Sequence, residues 1–340
     1  MEKLLTEPGF VLDKKGRPQP GYSTQEVLTY RRKDIKAKPF RIKEWDFYQM
    51  EDVNGQYCIQ LTYGHADYIG QIGVMMFDIK NSQWIINEST LIPLAMNRMK
   101  LPESASKDNE IHYRKGKYVV DFICHDHIRD LSLKTPHFEC QIHLEPQINH
   151  ALIINVPFDE SPRHFYYNYK LNCMKATGMV KWVDDNHEVN VISLTDNTYY
   201  GLLDWGRGVW PFSNEWFWSN GQGMVDGQLF GFNLGCGFGN TDTASENILF
   251  YEGQPHKLSQ VTISHTDDYM AEWTLKDKEG RCQLTMTPEF DRITRDHILF
   301  VDNCTHQVFG RFNGKVILDD GRELIIKDLP AFAEHAVNNW

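Results

Sequence analysis

The chain has 340 residues, which is enough for about two domains with sizeable hydrophobic cores. It carries 35 Lys and Arg against 46 Asp and Glu, a formal net charge of −11, which argues against a main partner with the phosphate backbone of a nucleic acid. No apolar run reaches the roughly 18 to 20 residues of a membrane helix, and the first residues lack the apolar core of a signal peptide. We therefore expect a cytoplasmic protein without a membrane span.

Residues 1–44 are predicted to form a basic N-terminal arm. Ten basic and only two acidic residues lie between positions 14 and 43, and Pro18, Pro20 and Gly21 interrupt regular structure there. We interpret the arm as a solvated strap on an acidic body rather than as a binding patch.

The dominant periodicity from Trp45 onward is two. Apolar and polar residues alternate over 57–63, 138–144 and 282–286, which predicts strands with two unlike faces. Turn sequences between strand-like runs predict hairpins at Asn54-Gly55, Lys115-Gly116-Lys117, Asp184-Asp185-Asn186, Lys278-Glu279-Gly280 and Asp319-Asp320-Gly321.

The strands are expected to form antiparallel barrels. No stretch of 12 residues between Trp45 and Leu318 has a convincing 3.6-residue period, whereas a parallel α/β sheet needs helical crossovers. The sequence predicts an all-β protein with few short helices and two consecutive barrels. We place the first barrel at 45–195 and the second at 196–340, with the division at 194–198.

The seven cysteines and the histidines give no metal or cofactor signature. The cysteines are scattered and never form a Cys-x-x-Cys pair, which predicts reduced, buried thiols. Residues 124–127 read Cys-His-Asp-His, so His125 and His127 would share one face of a strand, with His137 and His143 nearby. Among fourteen histidines this is unspecific, and we expect neither a metal nor a cofactor.

The segment from Tyr199 to Trp218 is the richest in candidate chemistry, with four of the nine tryptophans within fourteen residues. Asp204 is flanked by aromatic residues, which raise a carboxyl pKa toward the range of a general acid. Arg207 lies between two glycines. Asp204 and Arg207 either belong to an active site or form an ordinary buried ion pair.

Alternate glycines over 231–239 superficially resemble a phosphate loop, but no helix follows them. We expect a tightly coiled strand or a close backbone approach there. Asn233, Glu246 and Asn247 would then face the same cavity as Asp204, and a structural role for them is an equal alternative. The candidate catalytic residues are thus Asp204, Arg207 and Glu246. The candidate ligand-binding residues are Trp205, Trp210, Glu215, Trp216, Trp218, Asn233 and Asn247.

Three runs resemble domain-of-unknown-function family 2804, and the likeness covers nearly the whole chain. They are residues 204–211, residues 232–238, and the C-terminal part that includes 309–314, 333–335 and Trp340. More distantly, the layout is similar to proteins built from two lipocalin-like barrels, among them hydroxyneurosporene synthase type hydratases, kievitone hydratase, tocopherol cyclase and some fungal Diels–Alderases. This resemblance implies a cavity at or between the barrels. It also implies cofactor-free chemistry in which a protein acid protonates an alkene and aromatic faces stabilise the cation.

Three hypotheses for function remain open. The first is a cofactor-independent hydratase, cyclase or isomerase for a small oxygenated molecule, with Asp204 as the acid, tryptophans as walls and Arg207 setting the proton affinity of the acid. The second is a glycoside-active enzyme that pairs Asp204 with Glu246 or Glu215. The third is a non-catalytic lipocalin-like carrier in which Arg207 neutralises Asp204. In each case the expected partner is a small-molecule ligand.

Overall fold

A computed structural model describes residues 2–195, 197–298 and 301–339. Within these ranges the chain forms twenty-four strands and three 3-10 helices of three residues each, which confirms the predicted all-β class. No helix among these residues has the length and apolar character required to cross a bilayer.

The N-terminal arm packs against the first barrel. It contains β1 (Gly9–Phe10), β2 (Gly21–Ser23), β3 (Leu28–Thr29) and the 3-10 helices Arg32–Asp34 and Pro39–Arg41. Val11 and Tyr30 are fully buried in the core of that barrel. Arg32 forms ion pairs with Glu44 and Asp67 of the body. The arm therefore contributes apolar packing in addition to the charged contacts that its composition predicts.

The first large sheet curls around its own hydrophobic core and has thirteen strands among the described residues. With β2 it comprises β4 (Lys43–Asp52), β5 (Tyr57–His65), β6 (Ile69–Asp78), β7 (Gln83–Pro93), β8 (Asn109–Lys115), β9 (Tyr118–His125), β10 (Ile128–Lys134), β11 (Phe138–Pro146), β12 (Leu152–Phe158), β13 (Ser161–Val183), β14 (Val189–Leu194) and β15 (Tyr199–Val209). The third 3-10 helix, Ala95–Asn97, follows β7. The strand order is β7-β6-β5-β4-β15-β13-β11-β10-β9-β8, with β12 and β14 beside β13 and β2 beside β12.

The second large sheet has nine strands among the described residues, in the order β19-β18-β17-β16-β24-β23-β22-β21-β20. It comprises β16 (Ser213–Val225), β17 (Gln228–Cys236), β18 (Ile248–Tyr251), β19 (Gln254–Lys257), β20 (Val261–Ser264), β21 (Trp273–Asp277), β22 (Cys282–Ile298), β23 (Val301–Ile317) and β24 (Glu323–Asn339). Both large sheets are antiparallel and curled, as expected for two lipocalin-like barrels.

The boundary between the two sheets differs from the expected one. β15 pairs with β4 and β13, so it belongs to the first sheet, and the chain crosses to the second sheet at residues 210–212. The turn-rich sequence near 184–186 closes the β13–β14 hairpin within the first barrel, as predicted. Asp196, the first residue of the expected second barrel, and Trp340 lie outside the described residues.

The predicted turns are confirmed. All five lie between consecutive strands, namely β4–β5, β8–β9, β13–β14, β21–β22 and β23–β24. Gly55 and Gly116 have φ values of 63° and 58°, a conformation that glycine adopts without steric cost.

The two barrels meet at aromatic-rich clusters that both sheets build. One cluster consists of Cys58, Phe77, Ile79, Leu202, Trp218, Phe290, Phe309 and Phe332. The other includes Leu152, Ile154, Val156, Phe158, Tyr166, Trp210, Phe238, Ile248 and Phe250. The polar face of β5 is therefore not solvated, because Cys58 and Gln60 are buried against the second barrel.

We predict that Phe309→Ala lowers the free energy of unfolding by roughly 3 to 5 kcal/mol, because it leaves a cavity in the contact between the barrels. Phe309 is fully buried, with its ring centroid 4.9 Å from that of Phe77 and 5.6 Å from that of Phe332. Urea unfolding measures the change. The control Phe212→Ala removes a ring that is 43% exposed and should cost under about 1 kcal/mol; equal losses in the two variants would contradict this account of the interface.

Candidate functional site

The candidate site begins with two strands of the first barrel. The register of β13 and β15 places Lys170 directly opposite Asp204. The Lys170 Nζ lies 3.3 Å from Asp204 Oδ2, and Asn168 Nδ2 donates a 2.5 Å hydrogen bond to Asp204 Oδ1. All three side chains are on the strand faces that point away from the first barrel's core.

The second barrel supplies the other partners of this ammonium group. Lys170 Nζ lies 3.4 Å from Oε2 of Glu246, which is in the connection between β17 and β18. It also lies 4.2 Å from the ring centroid of Trp218, within the range of a cation–π contact. Gly235 leaves room for the carboxyl group, because a Cβ at Gly235 would come within 3.2 Å of Glu246 Oε2. Groups from both barrels thus surround one buried cation.

A row of amides fixes the indole and the Glu246 segment. Asn172 Nδ2 donates to Asn220 Oδ1 at 2.9 Å, and Asn220 Nδ2 donates to Asn233 Oδ1 at 3.1 Å. The same Asn233 oxygen accepts a 2.7 Å bond from Trp218 Nε1, while Asn233 Nδ2 donates to the Glu246 carbonyl at 2.6 Å. These bonds hold both elements in one orientation.

A further buried carboxyl group, Glu334, continues the polar layer between the barrels. Trp216 Nε1 donates to Glu334 Oε1 and Gln307 Nε2 donates to Glu334 Oε2, each at 3.1 Å. Gln60 of the first barrel donates to Gln307 Oε1 at 2.6 Å. The hydrogen-bonded layer therefore extends along the interface beyond Lys170.

Burial sets the protonation of the carboxyl groups. It raises the pKa of Glu246, with a further increase from the Asp204 charge and an opposing decrease from Lys170. It also raises the pKa of Glu334, which Arg292 opposes. Burial alone would lower the pKa of Lys170, but Asp204 and Glu246 outweigh it and the net shift is upward. The site can therefore hold a charged ammonium group beside a glutamic acid that keeps its proton to an unusually high pH.

The two carboxyl groups remain partly accessible. Asp204 exposes 10% of its side chain and Glu246 exposes 12%, against 3% for Lys170. A cavity of about 730 Å³ is bordered by Glu215 and Phe217, which are close to Asp204 in the sequence. Asp204 itself is not among the residues that line it. A second cavity of about 460 Å³ lies between the arm and the first barrel. Neither of these two cavities is lined by Asp204 or Glu246, and the access that the structure shows for both carboxyl groups is their partial exposure.

The expected ion pair of Asp204 with Arg207 is not formed. Arg207 points into the first barrel, where its Nη2 lies 2.8 Å from Asp46 Oδ1 and its guanidinium group lies 3.8 Å from the ring centroid of Trp205. Residues three apart in a strand point to opposite faces, so Arg207 cannot share the side of Asp204. Trp205 belongs to the barrel core for the same reason, and Lys170 takes the place expected for Arg207.

The other candidates divide between this site and elsewhere. Trp216, Trp218 and Asn233 lie at the site, in the contacts given above. Trp210 packs in the interface cluster, 6.0 Å from the Tyr166 ring centroid. Asn247 accepts the backbone N–H of Gly235 at 2.8 Å, which is a structural role. Glu215 is 62% exposed and pairs with His335 instead of Asp204.

The histidines at 125 and 127 do not share a strand face. β9 ends at His125, and residues 126 and 127 turn with positive φ, so the strand alternation stops there. His137 and His143 pair with separate carboxylates, Glu88 and Asp130.

The sequence analysis missed Lys170, Asn168, Asn172, Asn220 and Glu334. A signal was present, since Asn168, Lys170 and Asn172 alternate with apolar residues in one strand. Such a row is typical of a solvated strand face, and only the docking of the second barrel buries it.

Comparison with known proteins identifies the family. The family described as Domain of unknown function (DUF2804) matches residues 2–340. The chain belongs to this family. No curated protein matches the sequence.

Solved structures share the fold of this DUF2804 protein. A crystal structure of CghA with Sch210972 has a TM-score of 0.63 at 8% identity, with 96% of this chain and 97% of that chain covered. Kievitone hydratase from Nectria haematococca has a TM-score of 0.51 at 9% identity, with 97% and 98% covered. At these identities the similarity establishes the two-barrel fold that the sequence resemblance implies.

We predict that Lys170→Met destabilises the protein by roughly 3 to 5 kcal/mol, because it leaves buried carboxyl groups without their cation. Chemical denaturation measures the loss. Lys181→Met on the same strand is the control, since Lys181 is exposed and its loss should cost about 0.5 kcal/mol or less.

Adding Asp204→Asn to the Lys170→Met variant should recover part of the stability, because it removes one uncompensated charge. A Lys170→Met protein as stable as the Lys181→Met control would contradict the assignment of Lys170 as the shared cation.

Proposed function

We propose that this protein is a cofactor-independent enzyme that carries out acid catalysis between its two barrels. The substrate is a small oxygenated organic molecule with a carbon–carbon double bond, and the reaction is a hydration, cyclisation or isomerisation. The observation that carries the proposal is the ammonium group of Lys170 held between Asp204 and Glu246 from different barrels.

Glu246 is the proton donor in this proposal. Burial raises its pKa, and a raised pKa favours the protonated form that a general acid needs. This moves the acid from Asp204, the residue favoured by the sequence, to its partner across Lys170.

Lys170 favours an oxygenated substrate over a hydrocarbon. A positive charge 4.2 Å from the ring centroid of Trp218 weakens that indole as a partner for a carbocation, whereas an ammonium N–H can bind a substrate oxygen and stabilise the negative charge that develops on it. The partly exposed indole of Trp216 would contact the apolar part of the molecule.

The proposed step is balanced within the site. The double bond takes the Glu246 proton at one carbon, and a water or a substrate hydroxyl attacks the other carbon and gives its proton to Asp204. Asp204 then releases this proton to solvent, and solvent returns a proton to Glu246, which restores the starting state. In an isomerisation, Asp204 removes a proton from carbon instead of from oxygen.

The fold similarity to kievitone hydratase supports a hydration, since that protein is named for one. Glycoside hydrolysis fits less well. It requires the sugar bond to lie between the two carboxyl groups, and the Lys170 nitrogen lies between Asp204 and Glu246 at 3.3 and 3.4 Å. A carrier role is less favoured because the predicted Asp204–Arg207 pair is absent and the surrounding groups are hydrogen-bonding amides.

Solvent isotope incorporation tests the proposal. The protein is incubated with a small-molecule extract in D₂O, and untargeted mass spectrometry measures new products that carry deuterium on carbon. We expect such products with the wild-type protein and a loss of at least about 100-fold with Glu246→Gln, which cannot donate the proton.

Glu188→Gln serves as the control, because Glu188 is an exposed glutamate far from this network in the chain. Equal deuterium incorporation by Glu246→Gln and the control would rule out Glu246 as the donor. A ligand that binds the wild-type protein without any conversion would favour the carrier hypothesis.

A further inference from the structure

A second cluster of polar groups lies at one end of the second barrel, apart from the Lys170 site. His335 of β24 and His306 of β23 are direct register partners. The connection between β20 and β21 folds over them and contributes His265 and Tyr269. We call these four residues the histidine cluster.

The hydrogen-bond partners fix the tautomers of two imidazoles. His335 Nε2 lies 2.8 Å from Glu215 Oε1, and His265 Nδ1 contacts the carbonyl oxygen of Thr266. Carbonyl and carboxylate oxygens only accept, so each of these ring nitrogens carries the hydrogen. His335 Nδ1 and His265 Nε2 therefore carry lone pairs in the neutral rings, and they face each other at 3.3 Å.

In the ion-free protein the Tyr269 hydroxyl, 2.8 Å from His335 Nδ1, donates its hydrogen to that lone pair. A bound cation would take the place of this hydrogen.

A third possible ligand atom lies close to His335 Nδ1. Tyr269 Oη lies 2.8 Å from His335 Nδ1. The ring of Tyr269 is held by stacking on His306, at a centroid distance of 3.7 Å and an angle of 8°. His306 in turn is anchored by Asp291, 2.7 Å from its Nδ1.

The spacing matches a coordination sphere. Two nitrogens bound at about 2.0 to 2.1 Å to a tetrahedral Zn²⁺ lie roughly 3.3 to 3.4 Å apart. Metal-bound imidazoles almost always donate their other N–H to a carboxylate or a backbone carbonyl, as His335 and His265 do here.

We propose that His265 Nε2, His335 Nδ1 and Tyr269 Oη form a binding site for a divalent transition metal ion of the Zn²⁺ type. Imidazole ligands select this class of ion over Mg²⁺ and Ca²⁺. On binding, the Tyr269 hydroxyl proton passes to solvent and its oxygen becomes the third ligand. Glu215 and His306 are positioning residues, which orient His335 and Tyr269.

The site adjoins the cavity of about 730 Å³. Glu215 and Phe217 line that cavity, and Phe217 stacks on His335 at a centroid distance of 4.3 Å. Three protein ligands leave one position of a tetrahedral ion open, as in catalytic rather than structural zinc sites. The ligand class for that position is an oxygen or nitrogen donor entering from the cavity. This site shares no proposed ligand with the Lys170 site, so the two proposals stand or fall separately.

Zinc binding to the full chain tests the proposal. All proteins carry His125→Gln, which disrupts the exposed group of Asp108, His125 and Asp126, a separate candidate for adventitious metal binding. Calorimetric titration with Zn²⁺ should give one site per chain, and His265→Gln or His335→Gln should weaken it by about tenfold or more. The control His143→Gln, at a 44% exposed imidazole, should leave the affinity unchanged.

Tyr269→Phe gives an independent measurement. Titrations in buffers of different ionisation enthalpy count the protons released, and the variant should release one fewer per Zn²⁺ than the parent. The proposal is overturned if the parent protein binds no Zn²⁺, or if folded histidine variants bind it as well as the parent. If circular dichroism shows that both histidine variants are unfolded, unchanged affinity and proton release in Tyr269→Phe overturn it instead.

Discussion

The burial of the Lys170 ammonium group between the barrels is the constraint on which the rest of this account depends. Removing such a cation from water costs several kcal/mol, and only close counter-charges with good geometry offset that cost. Asp204, from the same sheet, supplies the counter-charge. A carboxyl oxygen of Glu246 and the Trp218 ring approach the ammonium group from the other sheet. The cation is therefore fully surrounded by its partners only when both barrels are docked in this one arrangement.

The aromatic clusters and the polar layer make different contributions to this interface. Rings such as Phe77 and Phe309 supply nonspecific apolar burial. The directional bonds of Asn220, Asn233 and Glu334 tolerate few alternative placements. The interface is thus held by apolar area and oriented by hydrogen bonds. The same polar groups are the ones with chemical potential, which places the candidate site between the barrels rather than inside one.

Strand parity explains what the sequence could and could not predict. The alternation of residues and the turns with glycine or aspartate are local signals, so the all-β class and five hairpins followed from them. Parity alone also shows that Asp204 and Arg207 cannot share a face, since three positions separate them in β15. The expected ion pair between Asp204 and Arg207 did not take this strand parity into account. The sequence also groups Glu246, Asn233 and Trp218 with Asp204, and the structure places Glu246 and Trp218 beside the Lys170 that pairs with Asp204. Asn233 hydrogen-bonds to both of them.

The features that the sequence did not predict depend on contacts between strands that are distant in the sequence. The row Asn168, Lys170 and Asn172 has the pattern of a solvated face, and only the docked second barrel turns it into a buried one. The chain crosses between the sheets one strand after the division expected at 194–198, because β15 pairs with β4 and β13, and the pairing with β4 joins segments that are distant in the sequence. The histidine cluster joins His265, His306 and His335, which no local pattern connects.

The most direct measurement of the central claim is the titration of the Glu246 carboxyl group in the folded protein. Carbon-13 NMR of carboxyl-labelled glutamate follows each resonance with pH, and the Glu246→Gln variant assigns the one that disappears. We expect this carboxyl group to lose its proton at a pH above the ordinary glutamate value of about 4.3, because burial disfavours its charged form. A Glu246 resonance that titrates at or below that value would contradict the assignment of Glu246 as the proton donor.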